Sequence, residues 1–288
     1  MAGVGDDGTR ARAVLLIVPI LVVLTLGFYA PLGFFLALSF LRYDPAHLYL
    51  HQWTFANYHV VLAESTYRLG LFNTLRLALA VAACTVVLGY GIAVVLWRST
   101  PGWRNVLITA LIAPLFVSVI IRTYGWLIIF DNRGPLNEML RWFSLGPLHI
   151  RSTLTAVVVA LTEVELPFAT LPIFAALSQV DRALVEAAAT LGEPPLRAFA
   201  RVVVPLSLPG VVTGGILAFS LAASSFVEPL VLAPPNLFLL ATLAYDDINQ
   251  VLNWPLGAAT GFFLFAVALL LTAVSVGALR LTRGGRMV

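Results

Sequence analysis

Five charged residues fall within stretches of the chain that are otherwise apolar. They are two arginines and three glutamates: Arg76, Arg122, Glu163, Glu165 and Glu228. A charge inside a bilayer is costly, so such residues are usually paired or line a transport route. Two roles are open for this group: a slightly anionic path for a cationic solute, or an arginine–carboxylate network that holds helices together. Positions 163 and 165 lie about 200° apart on a helix, so at most one of them faces a given cavity.

A second candidate site is the polar segment 181–205, which reads DRALVEAAATLGEPPLRAFARVVVP between two long apolar runs. Asp181 is expected to accept hydrogen bonds from the free amides of a first helical turn. Gly192 fits the left-handed residue that follows a helix C-terminus. Pro194 suits the opening position of a second helix, where its missing N–H is not needed. The segment therefore predicts two short helices, joined by a Gly-Glu-Pro turn and lying outside the lipid.

The first of these helices is expected to carry one apolar face that includes the small residues Ala187 and Ala188. Small side chains let a helix press closely against another surface, and Glu186, Arg197 and Arg201 supply charge around it. This pattern favours a knob that inserts into a groove on a partner protein. The alternative is an ordinary loop at the membrane interface.

Composition assigns the chain to the integral membrane proteins. Its 288 residues are 60% hydrophobic and 11% charged, against about 45–50% and about 25% in soluble domains. All seventeen basic residues are arginine, so the lysine of a phosphate-binding loop is missing and any ATP must be hydrolysed by another subunit. Cys84 is the single cysteine, which excludes an internal disulfide. The net charge is only +3 and the arginines are scattered, which does not favour nucleic-acid binding.

Six apolar runs are each long enough to cross a bilayer as a helix, which needs ~20 residues. Their approximate ranges are 14–41, 70–97, 105–130, 153–177, 204–227 and 256–279. The first run exceeds the hydrophobic region of a signal peptide and ends without a small-residue cleavage site, so we interpret it as a retained anchor. The predicted fold class is therefore an all-α protein with six transmembrane helices.

The arginines indicate the orientation of these helices. The termini, the 98–104 turn and the segment 181–205 hold ten arginines, whereas the loops on the opposite side hold five. By the positive-inside bias, both termini and the segment 181–205 are expected in the cytoplasm.

Two other patterns have a structural and a functional interpretation. Small residues recur every four positions in the fifth run, at Gly210, Gly214, Ala218 and Ala222. Such a stripe lets another helix approach closely, either within the subunit or across a subunit interface. Three histidines, His47, His51 and His59, lie in the segment 42–69. Because their spacings match no metal motif, we expect solvated side chains and no metal site.

The spacing of Glu186-Ala187-Ala188, Gly192 and Val202-x-Val204-Pro205 resembles the coupling loop, or EAA loop, of permeases in binding-protein-dependent ABC importers. Further stretches are similar to spermidine/putrescine permeases, a group with the MetI-like transmembrane domain. These stretches are Asn73-Thr-Leu-Arg76, Ile121-Arg-Thr-Tyr-Gly-Trp126, Asn132-Arg-Gly-Pro-Leu-Asn137, Leu240-Ala-Thr-Leu243 and Asn253-Trp-Pro-Leu-Gly257.

This resemblance implies the type I ABC importer permease fold, with a cytoplasmic pair of coupling helices. The implied divisions are 1–68 (tail, first helix and external segment), 69–281 (core permease domain) and 282–288 (tail). The implied coupling residues are Glu186, Ala187, Ala188, Gly192, Arg197 and Pro205. The implied partners are two ABC ATPase subunits, a second permease subunit, an external substrate-binding protein and membrane lipid. ATP and Mg would be used by the ATPase subunits, with no cofactor on this chain, in a bacterial cytoplasmic membrane.

The resemblance further implies a polyamine or similar cationic amine as substrate. Related permeases carry other amines, phosphonates, opines, sulfate or iron, and Glu163 and Glu165 depart from the aromatic or apolar residues expected of the family. Two other function classes have different sequence requirements. An intramembrane hydrolase needs a nucleophile with a base or a metal motif such as HExxH, and the spans contain neither. An ion-coupled carrier would use Glu163 and Glu165 as coupling groups.

Overall fold

A computed structural model describes residues 18–190 and 192–284. The described residues form two compact units, each treated separately below. One contains the described part of Met1–Glu64 together with Ala244–Phe263, and the other contains Ser65–Leu243 with the described part of Leu264–Val288.

Helices account for most of the described chain, as the composition predicts. The helices are α1 (Val18–Ser39), α2 (Ala56–Ala63), α3 (Ser65–Arg98), α4 (Pro101–Ile112), α5 (Val119–Ile129), α6 (Pro135–Trp142), α7 (Leu154–Ser178), α8 (Arg182–Thr190), α9 (Pro195–Ser224), α10 (Val227–Leu232), α11 (Leu240–Asn249) and α12 (Trp254–Gly284). The strands β1 (Leu41–Asp44) and β2 (Leu48–Trp53) form an antiparallel hairpin.

Five helices, α1, α3, α7, α9 and α12, are each long and apolar enough to cross a membrane. The third predicted span is not the straight helix expected over 105–130. There α4 continues through the 3-10 turn Ala113–Phe116 and is bent by 96° relative to α5. The pair counts as the sixth span only if the bent helices are taken together. The fifth span also ends earlier than expected, at Ser224, because Ser225 has extended backbone and α10 follows as a separate short helix.

Helices α3, α7 and α9 pack against one another as the core of the larger unit. At one end of this bundle, Leu77, Ala156 and Ala222 belong to one buried apolar cluster. At the other end, Ala93, Ile173 and Val203 belong to a second cluster. The order of these residues shows that α3 and α7 run parallel while α9 runs antiparallel to both. The C-termini of α3 and α7 therefore meet the N-terminus of α9.

The small-residue stripe of α9 packs within the subunit, against α7. A Cβ atom on Gly210 would lie 2.5 Å from the Pro172 carbonyl oxygen and 2.6 Å from the Ala176 Cβ. A Cβ on Gly214 would lie 2.8 Å from the Ala169 carbonyl oxygen. Ala218 and Ala222 are buried on the same stripe. Of the two interpretations offered by the sequence, close packing inside the subunit is therefore what these residues provide.

We expect Gly210→Ala to lower the stability of the protein, because its methyl group would overlap atoms of α7. Overpacking of this kind costs about 1–3 kcal/mol. The matched control is Gly91→Ala in α3, where a Cβ meets nothing within 4 Å and alanine favours the helix. Thermal unfolding in detergent should give a lower midpoint for Gly210→Ala and an unchanged or higher one for Gly91→Ala. Equal midpoints for Gly210→Ala and the parent protein would refute the close packing.

The smaller unit is built around the hairpin, which the sequence did not predict. Phe40 lies at the centre of an aromatic group with Trp53, Phe55 and Tyr58, at ring-centroid distances of 5.0 to 6.3 Å. Asn57 is buried and donates to the carbonyl oxygens of Ser39 and Leu41. These contacts attach the hairpin to the end of α1.

One of the three histidines in this unit has an acidic neighbour. The His47 Nδ1 lies 3.0 Å from the Asp44 Oδ2. This hydrogen bond is the main cause of a pKa of Asp44 below its usual value. The contact joins neighbouring residues of the β1–β2 turn.

Candidate functional site

The segment 181–205, called the coupling segment below, begins with the cap that its sequence predicts. The Asp181 Oδ1 accepts a hydrogen bond of 2.9 Å from the Ala183 N–H at the start of α8. Gly192 has a φ of +82°, and the Glu193 N–H donates to the Ala188 carbonyl oxygen at 3.1 Å. This bond and the left-handed glycine form a Schellman-type helix end, which a residue with a side chain would strain. The side chains of Glu186 and Leu191 lie outside what the structure describes.

The second half of the coupling segment differs from the prediction of a separate short helix opened by Pro194. Pro194 has extended backbone and precedes the helix, and Pro195 takes the first helical position. From Pro195 the helix continues as α9 into the fifth span. A π-helical turn, Phe199–Val203, lies inside it. It ends two residues before Pro205, which has no N–H to donate to the preceding turn. Because α9 is continuous, a force on its first turn acts directly on a membrane-crossing helix.

The coupling segment presents an uncovered apolar surface in the isolated chain. Leu196 is 80% exposed and Leu184 is 49% exposed. Ala187 is exposed and Ala188 is half-buried. Because both side chains are single methyl groups, a partner protein can approach α8 closely at these two positions. Arg197 is exposed, and Arg201 is paired with Glu193. The segment is thus an apolar knob with charged groups around it, and its docking in a groove on another protein stays a prediction.

Phe199 is a residue of this region that the sequence reasoning missed. Its ring lies 6.3 Å from that of Tyr90, and the Arg98 guanidinium carbon lies 6.0 Å from its centroid. The Tyr90 hydroxyl is hydrogen-bonded to the buried Ser207 hydroxyl at 3.0 Å. These contacts join the π-helical turn of α9 to the end of α3. The spacing of these residues gave no signal, because the contacts are made between distant parts of the chain.

A cavity of about 600 Å³ lies beside α8, between the end of α7 and the start of α9. Pro172 and Pro209 line it, together with Gln179, Asp181 and Leu184. Each proline removes one backbone hydrogen bond from its helix, which makes local bending easier. The cavity leaves space next to Leu184 on α8.

Arg122 and Glu163 form an ion pair at the bend of the third span. The Arg122 Nε lies 3.7 Å from the Glu163 Oε2, and the Trp126 Nε1 donates to the same oxygen at 3.5 Å. The Arg122 Nη1 also donates to the Pro114 carbonyl oxygen at 3.0 Å, across the break between α4 and α5. This arginine therefore stabilises the bend while Glu163 balances its charge.

Glu165 and Glu228 are buried and have no basic partner among the described residues. Glu165 is 2% exposed, and its Oε2 has no hydrogen-bond partner. Glu228 is 4% exposed, and its Oε2 accepts a hydrogen bond of 2.7 Å from the Ser225 hydroxyl. The helices that carry the two residues, α7 and α10, contact each other. Glu228 lies in the first turn of α10, after the helix of the fifth span has ended at Ser224.

Arg76 does not join these groups. Its side chain is exposed on α3 and makes no ion pair within the described part of the chain. The neighbouring Leu77 and Ala78 are buried instead. Arg76 therefore lies apart from the ion pair of Arg122 and Glu163, and its place on a substrate route stays a prediction.

We expect Glu163→Gln to weaken the bend of the third span, because Arg122 would keep its charge without a carboxylate partner. Breaking a buried pair costs about 3–5 kcal/mol, and an exposed pair about 0–1 kcal/mol. For this half-buried pair we expect about 1–3 kcal/mol. Thermal unfolding in detergent measures it, with the exposed Glu138→Gln as control. A midpoint equal to that of the control would show that the pair contributes nothing to the fold.

Several stretches that resemble polyamine permeases tie distant segments together. Asn73 donates to the Phe238 carbonyl oxygen at 3.1 Å, and the Leu240 N–H donates to the Thr74 hydroxyl at 3.0 Å. Asn137 is fully buried and makes three hydrogen bonds, to Asp131 and Leu148. The side chains of Asn73, Thr74 and Asn137 therefore fix the loops that connect the membrane helices.

Comparison with known proteins agrees with this geometry. The profile of the family described as "Binding-protein-dependent transport system inner membrane component" matches residues 85–282. The chain is 33% identical to the spermidine/putrescine transport system permease protein PotB of Escherichia coli (strain K12) over 269 residues, covering 92% of this chain and 97% of that protein.

Two solved structures show the same fold. A bacterial ABC transporter for import of the acidic polysaccharide alginate contains a chain that matches with a TM-score of 0.77 and 18% identity, over 96% of this chain and 97% of that one. A bacterial alginate ABC transporter in complex with a periplasmic protein carrying an alginate pentasaccharide matches with a TM-score of 0.74 and 18% identity, over 94% of each chain. At this identity the likeness shows the fold alone.

The family match covers more than half of the chain, and the similarity to PotB extends over nearly all of it. The helices long and apolar enough to cross a membrane agree with a multi-pass protein of the inner membrane. The chain therefore belongs to the inner-membrane permease subunits of binding-protein-dependent ABC importers, the MetI-like family.

Proposed function

We propose that this permease imports a polyamine or a similar cationic amine. The observation that carries the proposal is the pair of buried carboxylates, Glu165 and Glu228, without a basic partner among the described residues. Burying a carboxylate without a counter-charge is unfavourable, so the pair favours a positively charged occupant. Glu163 is already balanced by Arg122 and is assigned a structural role. The similarity to a spermidine/putrescine permease supports the same substrate class.

The position of these carboxylates suits a route through the subunit. Glu165 lies eleven residues after the first residue of α7, or about 16 Å along the helix axis, roughly half the thickness of the hydrocarbon core. Pro167 lies two residues further along α7, where its missing N–H weakens the helix next to the site. A substrate near Glu165 would therefore lie at mid-membrane depth, where transporters commonly bind their substrates.

In the proposed mechanism, two ABC ATPase subunits use ATP and Mg, and this chain binds neither. Movement of the ATPase subunits is transmitted by α8 and the first turns of α9, through Glu186, Ala187, Ala188, Gly192, Arg197 and Pro205. The continuity of α9 supports direct transmission to the fifth span. A second permease subunit and an external substrate-binding protein complete the importer. Both termini and the coupling segment lie in the cytoplasm.

The test is ATP-dependent uptake in proteoliposomes that contain the permease subunits, the ATPase subunits and the binding protein. Radiolabelled spermidine and putrescine should accumulate only when ATP is supplied to the ATPase side. Sulfate serves as an anionic control and should not accumulate. Uptake by this chain without an ATPase subunit would indicate an ion-coupled carrier and refute the mechanism. ATP-dependent uptake of sulfate but not of the amines would refute the substrate class.

A further inference from the structure

The short helix α6 presents an apolar face that nothing in the described chain covers. Along this face lie Pro135, Met139 and Trp142, which are exposed, with Trp142 at 88%. Phe143 and Leu145 continue the exposed apolar surface just after the helix. The opposite face carries Leu136, Asn137 and Leu140, which are buried or half-buried. The transport mechanism proposed above uses none of these exposed side chains.

This helix is held close to the point where the third span leaves the membrane. A Cβ on Gly134 would lie 2.2 Å from the Ile128 carbonyl oxygen, so α6 begins in direct contact with the last turn of α5. Asn137 donates to the Asp131 and Leu148 carbonyl oxygens at 2.9 and 3.1 Å. The start of α6 is thus fixed at the level of the end of α5. Because α7 crosses the membrane after this loop, α6 lies on the side opposite the coupling segment.

The residues around α6 match the chemistry of a phospholipid surface. Tryptophan and other aromatic side chains favour the headgroup level of a bilayer. A cavity of about 290 Å³ joins the apolar Leu127 and Ile128 at the end of α5 to Arg133 and Arg151. The arginines of segment 131–152 outnumber its acids: Arg133, Arg141 and Arg151 against Asp131 and Glu138. Arg151 is paired with Asp131, while Arg133 is exposed.

We propose that α6 is an interfacial amphipathic helix whose exposed apolar face, with Met139 and Trp142, is embedded in the outer leaflet of the bilayer. Helices with this combination of an apolar face and basic neighbours lie in the plane of the headgroups. The cavity beside Arg133 and Arg151 then takes the phosphate of a lipid, while its acyl chains follow Leu127 and Ile128. The helix thereby anchors the outer end of the bent third span, which carries Arg122.

Single-cysteine labelling tests the proposal. In a Cys84→Ala background, Trp142→Cys and Met139→Cys are each labelled with a fluorophore, and the assembled importer is placed in nanodiscs of phosphatidylethanolamine and phosphatidylglycerol. His149→Cys, an exposed position of the same loop outside the apolar face, is the control. Labels at 139 and 142 should be quenched by doxyl lipids and be several-fold less accessible to aqueous iodide than the label at 149.

Two outcomes would overturn the proposal. Equal quenching by iodide at positions 139, 142 and 149 would place the helix in water. Protection of 139 and 142 that appears only after the binding protein is added would make this face a protein-docking site. Because Met139→Cys and Trp142→Cys report the same face independently, failure of one variant to fold leaves the other as a test. The assay does not depend on which solute is transported.

Discussion

Replacing Ala188 by arginine is expected to lower ATP-driven uptake strongly while the protein remains inserted in the membrane. Ala188 is half-buried at the end of α8. An arginine there would keep α8 out of the proposed groove on the ATPase subunit. Overpacking costs about 1–3 kcal/mol, which lowers the docking equilibrium by a factor of about 5 to 150. Uptake and ATP hydrolysis are measured together in proteoliposomes, and hydrolysis should lose its dependence on the loaded binding protein.

The matched control is Thr190→Arg on the same helix, which introduces the same charged side chain. Thr190 is exposed and lies about 160° around the helix from Ala188, so the control should keep most of its uptake. Gly192→Arg is expected to behave like Ala188→Arg, because its φ of +82° disfavours any side chain. Normal transport-coupled hydrolysis in Ala188→Arg and Gly192→Arg would show that the coupling segment does not transmit movement.

Replacing the buried carboxylates by their amides is expected to remove amine uptake selectively. Glu165→Gln and Glu228→Gln keep the shape of the side chain but remove the charge that would balance the proposed cationic substrate. A hydrogen bond to a charged group contributes about 1.5–3 kcal/mol, so each change should lower uptake about 10- to 150-fold. Initial rates of spermidine uptake at saturating binding protein provide the measurement.

The control for this prediction is Glu163→Gln. It is expected to lower thermal stability through the loss of the Arg122 pair but to retain uptake at a temperature where it is folded. The expected pattern is therefore a separation of two effects, stability at position 163 and transport at positions 165 and 228. Full uptake by Glu165→Gln and Glu228→Gln would exclude an obligatory carboxylate in the route.

Local features of the coupling segment were predictable from sequence because they depend on single residues. Asp181 caps a helix through its own side chain, and Gly192 adopts a backbone conformation that other residues disfavour. The small-residue stripe of α9 also predicted close packing, since Gly210 and Gly214 leave room for another backbone. The sequence did not identify α7 as the neighbour, because helix periodicity carries no information about which helix is opposite.

Other features depend on contacts between distant segments and could not be predicted. The bend between α4 and α5 is stabilised by Arg122 across the break, and Pro114 in the turn does not by itself fix the direction of the bend. Pro194 and Pro195 are adjacent and suit the first helical position equally well. The sequence therefore did not show which of the two begins the helix. No residue pattern in the sequence indicates the π-helical turn before Pro205 or the continuity of the helix through it. A separate short helix was therefore expected, with a new helix beginning at the fifth span. Arg76 was grouped with Arg122 by depth alone, and depth does not fix the direction of a side chain.

The role proposed for the coupling segment is that of a cytoplasmic knob that docks on a separate ATPase subunit. Its most direct test is labelling of Ala187→Cys in a Cys84→Ala background with a membrane-impermeant maleimide, in right-side-out and inverted membrane vesicles. We predict labelling only from the cytoplasmic face, and protection from labelling when the ATPase subunit is bound. Labelling from the external face, or labelling from the cytoplasmic face that the ATPase subunit leaves unchanged, would contradict the claim.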